Sequence, residues 1–304
     1  MAMRKHTTIT ATVTALMTAV AAAVLVTAPP APAQTWAPAA TAAVHPGVQT
    51  YTNGGQCTAN FIFTDGTATY IGQAAHCSST GSNTDVNGCT TSSLPIGTPV
   101  TVLGASKPGV LAYNSWIAMQ KAGGSSADEC AYNDLALVKL DPADVAKVNP
   151  SIPVWGGPVA LNTTGTRSGD AVYSYGNSIL RLGVTALSPK FGTSTGDVGG
   201  GWSHGVTTIT PGIPGDSGSA FLDAAGNALG DLSTLSIAIP GGFSNNVSDL
   251  SHELSWLRAH EAGTSLANLQ LVLGTEPFNP NAVPVDTNRP VDDPVGGLSN
   301  FIGL

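Results

Sequence analysis

Pro214-Gly215-Asp216-Ser217-Gly218-Ser219-Ala220 is the stretch on which the reading of this chain turns. Glycines flank an Asp-Ser pair. A residue without Cβ takes backbone conformations that other residues oppose, so the amides of Gly215 and Ser217 can turn toward one point. Two N–H groups aimed at one point stabilise a developing oxyanion, and a serine beside them is placed to attack. The same residues also make an ordinary tight turn, and the stretch alone does not separate the two readings. A serine hydroxyl is a poor nucleophile at neutral pH. It needs a base to take its proton and a carboxylate to orient that base.

Both are found upstream. His76 stands in Gln73-Ala74-Ala75-His76-Cys77, directly after an apolar strand. A single histidine is more often structural than catalytic, but this one is followed at once by a cysteine that can clamp its loop. Asp134 stands in Tyr132-Asn133-Asp134-Leu135-Ala136-Leu137-Val138-Lys139-Leu140, at the mouth of a continuous apolar strand. A carboxylate partly buried there needs a partner, and an imidazole N–H is a suitable one.

The N-terminus is a targeting signal. Arg4 and Lys5 form a short positive head, an apolar run follows from about Ile9 to Ala28, and Ala31-Pro32-Ala33 offers a small-x-small cleavage pattern. Residues 1–33 are read as a cleaved signal peptide, and the protein as secreted and free of membrane afterwards. A transmembrane anchor is the rival, opposed by the threonines of the run and by Pro29-Pro30. Export and an even cysteine count imply two disulfides among Cys57, Cys77, Cys89 and Cys130, with three pairings open. A zinc site is disfavoured because no Cys-x-x-Cys occurs.

The 304 residues are enough for one large core or two modest ones. Only 10% of them are charged, so the surface is neutral-polar, and a net charge of −8 with no basic run excludes nucleic acid and anionic membrane as partners. Residues 34–43 are read as a leader or short propeptide. From residue 44 the chain shows short β-type runs between turn residues, among them Asn60-Phe61-Ile62-Phe63, Val100-Thr101-Val102-Leu103, Ala171-Val172-Tyr173-Ser174-Tyr175 and Val206-Thr207-Thr208-Ile209-Thr210. The proline-rich stretch from Ser151 to Pro158 serves as a crossover between two β units. Leu250, Leu254 and Leu257 mark one short amphipathic helix near the C-terminus, with Ser248 or Asp249 as cap. His252-Glu253 begins like a zinc-helix motif, but position 256 is Trp256, so no metal is expected. Residues 276–304 are read as a poorly ordered tail.

The order His76, Asp134, Ser217, within Ala-Ala-His76-Cys77, Asn133-Asp134-Leu and Gly215-Asp216-Ser217-Gly218, resembles the chymotrypsin/trypsin-like serine proteases, in particular their secreted bacterial members. The resemblance covers about residues 44–275. It implies an all-β fold of two six-stranded antiparallel barrels, about 44–155 and 156–275, with a short C-terminal helix. It implies a catalytic triad of those three residues, an oxyanion hole of Gly215 and Ser217, and no cofactor. It also implies a disulfide beside the histidine, which favours Cys57–Cys77 and Cys89–Cys130. By position, Ser233 in Gly230-Asp231-Leu232-Ser233 stands near the catalytic aspartate. Pro211 stands at the floor of the primary specificity pocket, with no carboxylate to pair with Arg or Lys.

The implied function is a monomeric serine endopeptidase acting on peptide or protein substrates, with an uncharged residue preferred before the cut. A catalytically silent binding module on the same fold, and an esterase or acyl-transfer enzyme, are the alternatives. The chain departs from the family in Gly218-Ser219-Ala220 and in lacking an Ile-Val-Gly-Gly activation sequence. A donor other than a new N-terminus is therefore an open alternative for Asp216.

Overall fold

The computed structural model describes Met1 and residues 34–82, 85–238 and 242–283. Residues 2–33, read above as a signal peptide, and the chain beyond residue 283 lie outside the described residues. Among the described residues no helix is long and apolar enough to cross a membrane.

The first half of the chain builds an antiparallel sheet from β1 (Gln49–Thr52), β2 (Gly55–Thr58), β3 (Ile62–Thr64), β4 (Thr69–Ala74), β5 (Pro99–Val102), β6 (Gly109–Asn114) and β7 (Leu135–Lys139). The second half contributes β8 (Ala171–Tyr175), β9 (Pro189–Val198), β10 (Ser203–Thr208), β11 (Ala220–Leu222), β12 (Ala228–Ala238) and β13 (Gly242–Asp249). Last comes β14 (Gln270–Leu271). The second set closes into a six-stranded barrel in the order β10-β13-β12-β11-β8-β9. Val172, Val206, Phe221, Leu229, Leu232 and Val247 fill it, all buried.

The expectation of two six-stranded barrels and an all-β chain is corrected here. The first set, joined by β14, is an open sheet of eight strands in the order β14-β3-β4-β7-β6-β5-β1-β2. Its two edges are spent elsewhere, which is why they do not meet. β14, from the far end of the chain, pairs with β3 through Gln270↔Thr64 and Leu271↔Phe63. On the other edge the Thr58 N–H of β2 donates to the Ser217 carbonyl at 2.9 Å.

Three α-helices are present among the described residues, not one: α1 (Ser115–Ala122), α2 (Ala127–Tyr132) and α3 (Leu250–His260). Each has a local cause. Asn114 Oδ1 accepts from the amides of Trp116 and Ile117. Ser126 and Glu129 form a reciprocal capping box. Asp249 caps α3 by accepting from the His252 amide at 2.8 Å.

The crossover from Ser151 to Pro158 is pinned by Trp155. Its Nε1–H donates to the Ser174 carbonyl at 2.7 Å, and its ring lies 5.0 Å from that of Tyr173. Phe278 also packs on Tyr173, 5.1 Å between centroids.

Candidate active site

β4 ends at Ala74 and passes into a single 3₁₀ turn, Ala75–Ser78, that carries His76 and Cys77. Cys77 is bonded to Cys57 of β2, with Cα atoms 6.1 Å apart. Cys89 is bonded to Cys130 of α2, with Cα atoms 5.1 Å apart. Cys57, His76 and Cys77 thus come together like a metal donor set. Both sulfurs are committed to the disulfide, so neither offers the thiolate that a metal ligand must be.

Register delivers Asp134 to the histidine. Ala74 of β4 pairs with Leu135 of β7, so the residues flanking that pair, the His76 turn and Asp134, face each other. Asp134 is 2% exposed. Its Oδ1 accepts the His76 amide at 2.9 Å and its Oδ2 meets His76 Nδ1 at 2.7 Å. Ser233 Oγ donates to the same Oδ2 at 2.6 Å. Ser233 reaches it because the β12–β13 register shifts between Leu232 and Thr234, leaving Ser233 as the extra residue of a bulge.

The imidazole of His76 is 23% exposed. Burial disfavours its charged form, but the charge and hydrogen bond of Asp134 outweigh that and raise its pKa above the ordinary value of 6.5.

Ser217 arrives from the barrel. Its carbonyl receives the Thr58 N–H, and the Gly218 N–H donates to the Leu232 carbonyl at 2.7 Å. Gly218 has φ +83, and a Cβ there would lie 2.6 Å from the Ala74 nitrogen, two residues before His76. Only glycine lets the serine loop approach the histidine strand this closely. Gly215 has φ +95, and a Cβ there would lie 2.2 Å from Gln56 Oε1. Among the described residues the amides of Gly215 and Ser217 and the hydroxyl of Ser217 make no hydrogen bond.

Asp216 is fully buried. Its Oδ2 meets Arg181 at 2.5 Å and Lys190 Nζ at 2.9 Å, and its Oδ1 accepts the Ser178 amide at 3.0 Å. Burial pushes its pKa upward, but Lys190 and then Arg181 overcome this and hold it below the ordinary value. These two cations, and no new N-terminus, are the charged partners of Asp216 among the described residues. Pro211 lies next to them: its carbonyl accepts from Arg181 at 3.1 Å.

Sequence reasoning missed Lys190, Arg181, Gln56, Thr58 and Asn177. Gln56 and Thr58 both donate to the Gly215 carbonyl, at 3.0 and 2.8 Å, and the Asn177 amide donates to Thr58 Oγ1 at 3.0 Å. It also missed Glu253, whose Oε1 accepts the backbone N–H of Asp134 at 2.9 Å. The pattern Glu253-Leu254 reads as one more turn of an amphipathic helix, and no local signal marks it.

No family model and no curated protein matches the chain. Solved structures do. Protease A of Thermobifida fusca is 19% identical, with a TM-score of 0.48 over 76% of this chain and 99% of that one. The Nocardiopsis protease NAPase is 19% identical, with a TM-score of 0.43 over 75% of this chain and 98% of that one. The Cellulomonas bogoriensis chymotrypsin is 19% identical, with a TM-score of 0.44 over 75% and 98%. The chain is similar to each of these in fold.

Proposed function

We propose that this chain is a secreted serine endopeptidase whose nucleophile is Ser217. The observation that carries the reading is the buried Asp134 carboxylate, bonded to His76 Nδ1 at 2.7 Å, beside a serine loop with two unpaired amides.

His76 Nε2 takes the proton as Ser217 Oγ attacks the scissile carbonyl. Asp134 fixes the tautomer, with the proton on Nδ1, and stabilises the imidazolium. The Gly215 and Ser217 amides receive the oxyanion. His76 then returns the proton to the leaving amine, and water resolves the acyl-enzyme through the same base. From Ser233 onward β12 pairs only with β13 among the described strands. That open edge accepts an extended peptide as an added strand. Pro211 at the pocket floor, with no carboxylate free of cations nearby, favours an uncharged side chain before the cut.

A fluorophosphonate probe on the processed protein tests the reading. Labelling should be complete in the native chain and absent in Ser217→Ala. Its rate should rise with pH through the folded pKa of His76, above 6.5, because only the neutral imidazole accepts the proton. Folded protein without Ser217-dependent labelling overturns the proposal. Labelling with hydrolysis of esters but of no peptide in a broad panel assigns the esterase alternative instead. Cleavage chiefly after Arg or Lys overturns the specificity.

A further inference from the structure

Close to Asp134 lie two carboxyls that the mechanism does not use. Asp231 is on β12, two residues before Ser233, and Glu253 is in the first turn of α3. Both are fully buried. Glu253 Oε1 holds the Asp134 N–H. Glu253 Oε2 has no donor among the described residues and Asp231 has none there beyond its own backbone amide, yet the two carboxyls lie close enough to act directly on each other.

Ionised carboxylates only accept, so two of them side by side with no donor from another residue to share are costly to bury. One proton between them turns the contact into a hydrogen bond and removes one of two like charges.

Among the described residues no cation answers the pair. The charge facing it from the mouth of β7 is Asp134, itself an anion. From β6 the group is the phenol of Tyr113, which Glu253 and Glu261 act upon. Its β12 neighbours bring no basic residue. On β13, Asp249 is tied to His204 at 2.9 Å and to His252. On α3 itself Arg258 is spent on the Leu269 carbonyl at 2.7 Å, and His260 stacks on Trp256. Lys121, on α1, is exposed. Burial raises the pKa of both carboxyls well above the ordinary range, with the charge of Asp134 adding to it for Asp231 and that of Asp231 for Glu253.

We propose that Asp231 and Glu253 share one proton in the folded protein, and that this protonated pair positions Asp134 by holding its backbone N–H. The pair is a positioning device and touches no substrate. Its positioning role rests on the reading of Asp134 as the triad carboxylate. When the shared proton leaves, two anions face each other beside a third. The contact from Glu253 to the Asp134 amide is then the one that gives, and the His76–Asp134 geometry loosens. The pair thereby sets an upper pH limit to the site. The sign follows from the raised pKa: the proton is bound more tightly in the folded chain, so its stabilisation is lost as pH rises through the folded value.

Three measurements on the processed protein, on Asp231→Asn and on Glu253→Gln test this, since an amide donates permanently what the pair shares. Infrared spectroscopy should show the carbonyl band of a buried protonated carboxyl in the native chain at neutral pH, absent from both variants. The low-field resonance of the His76 Nδ1–H should fade at alkaline pH in the native chain and persist in the amide variants. The fluorophosphonate labelling rate should fall over the same range in the native chain only. Glu253→Leu, which leaves the Asp134 amide without its acceptor, should slow labelling by roughly tenfold or more at unchanged probe affinity, and Glu253→Gln should recover most of that loss.

A folded native chain with no protonated-carboxyl band at neutral pH overturns the shared proton. An alkaline fade of the resonance that is the same in all three proteins overturns the positioning role. A band and a pH-dependent resonance in a protein that never labels sustain the pair and defeat the hydrolase reading instead.

Discussion

A carboxylate buried as completely as Asp216 has to be answered by positive charge, and here Lys190 and Arg181 answer it together. Lys190 is itself fully buried. Burial draws its pKa below the ordinary value against the pull of Asp216. Removing Lys190 leaves the buried Asp216 to Arg181 alone and takes away one of the two partners of a buried charge. Lys190→Met should therefore destabilise the protein by about 3 kcal/mol, measured by urea unfolding at neutral pH. The acid side gives a second reading. Because the folded pKa of Asp216 lies below 3.8, its stabilisation is present above that value and is lost as pH falls through the folded one. Lys190→Met should move acid unfolding to higher pH; an unchanged acid midpoint would count against this role for the pair. Ser217, His76 and Asp134 could be named as candidates from the sequence because each sits in a short motif with its own chemistry. Lys190 and Arg181 could not, because they are contiguous with Asp216 only in space. Arg181 is 35 residues from it in sequence, and an isolated Lys at the start of a strand reads as a solvated residue. Asp231 and Glu253 escaped for the same reason: what makes them notable is mutual burial, which no local pattern records.

At the scale of elements, helix α2 is a six-residue piece that would be marginal by itself. Its capping box and the Cys89–Cys130 bond hold it in front of β7, whose mouth carries Asp134. That bond closes a separation of 41 residues. Replacing both cysteines by serine should cost about 4 kcal/mol on the chain-entropy account, read as a drop in thermal midpoint without loss of the β-sheet signal. An unchanged midpoint would show that the loop is already fixed by other contacts. Most strands could be read from short apolar runs between turn residues, and α3 from its leucine spacing. The Ser126-x-x-Glu129 signature of α2 was also present in the sequence. The shape of the first sheet was not. Whether seven strands close on themselves depends on what takes their edges, and those partners are the Ser217 loop and a two-residue strand at 270–271.

Across the whole molecule, the open sheet and the barrel meet at the Ser217 loop through neutral groups. Gln49, Gln56, Thr58 and Asn177 supply them: Gln49 Nε2 donates to the Asn177 carbonyl at 3.0 Å, and Thr58 Oγ1 both donates to Gly215 and accepts from Asn177. Thr58→Val keeps the shape and deletes both bonds. It should cost about 2 kcal/mol in urea unfolding and slow labelling of Ser217 more than it weakens probe affinity; a fall in affinity alone would place Thr58 at the substrate and not at the junction. The strand β14 has a different kind of consequence, one of timing. It is made after every other strand, yet it belongs to the sheet made first, beside β3. A chain emerging from the ribosome holds β3 with a bare edge through the synthesis of the entire barrel and α3. The half that carries His76 and Asp134 is thus completed last, after the half that carries Ser217. Contacts of such long sequence separation fold slowly, and the three residues of the proposed triad are brought together only once the whole body of the protein exists.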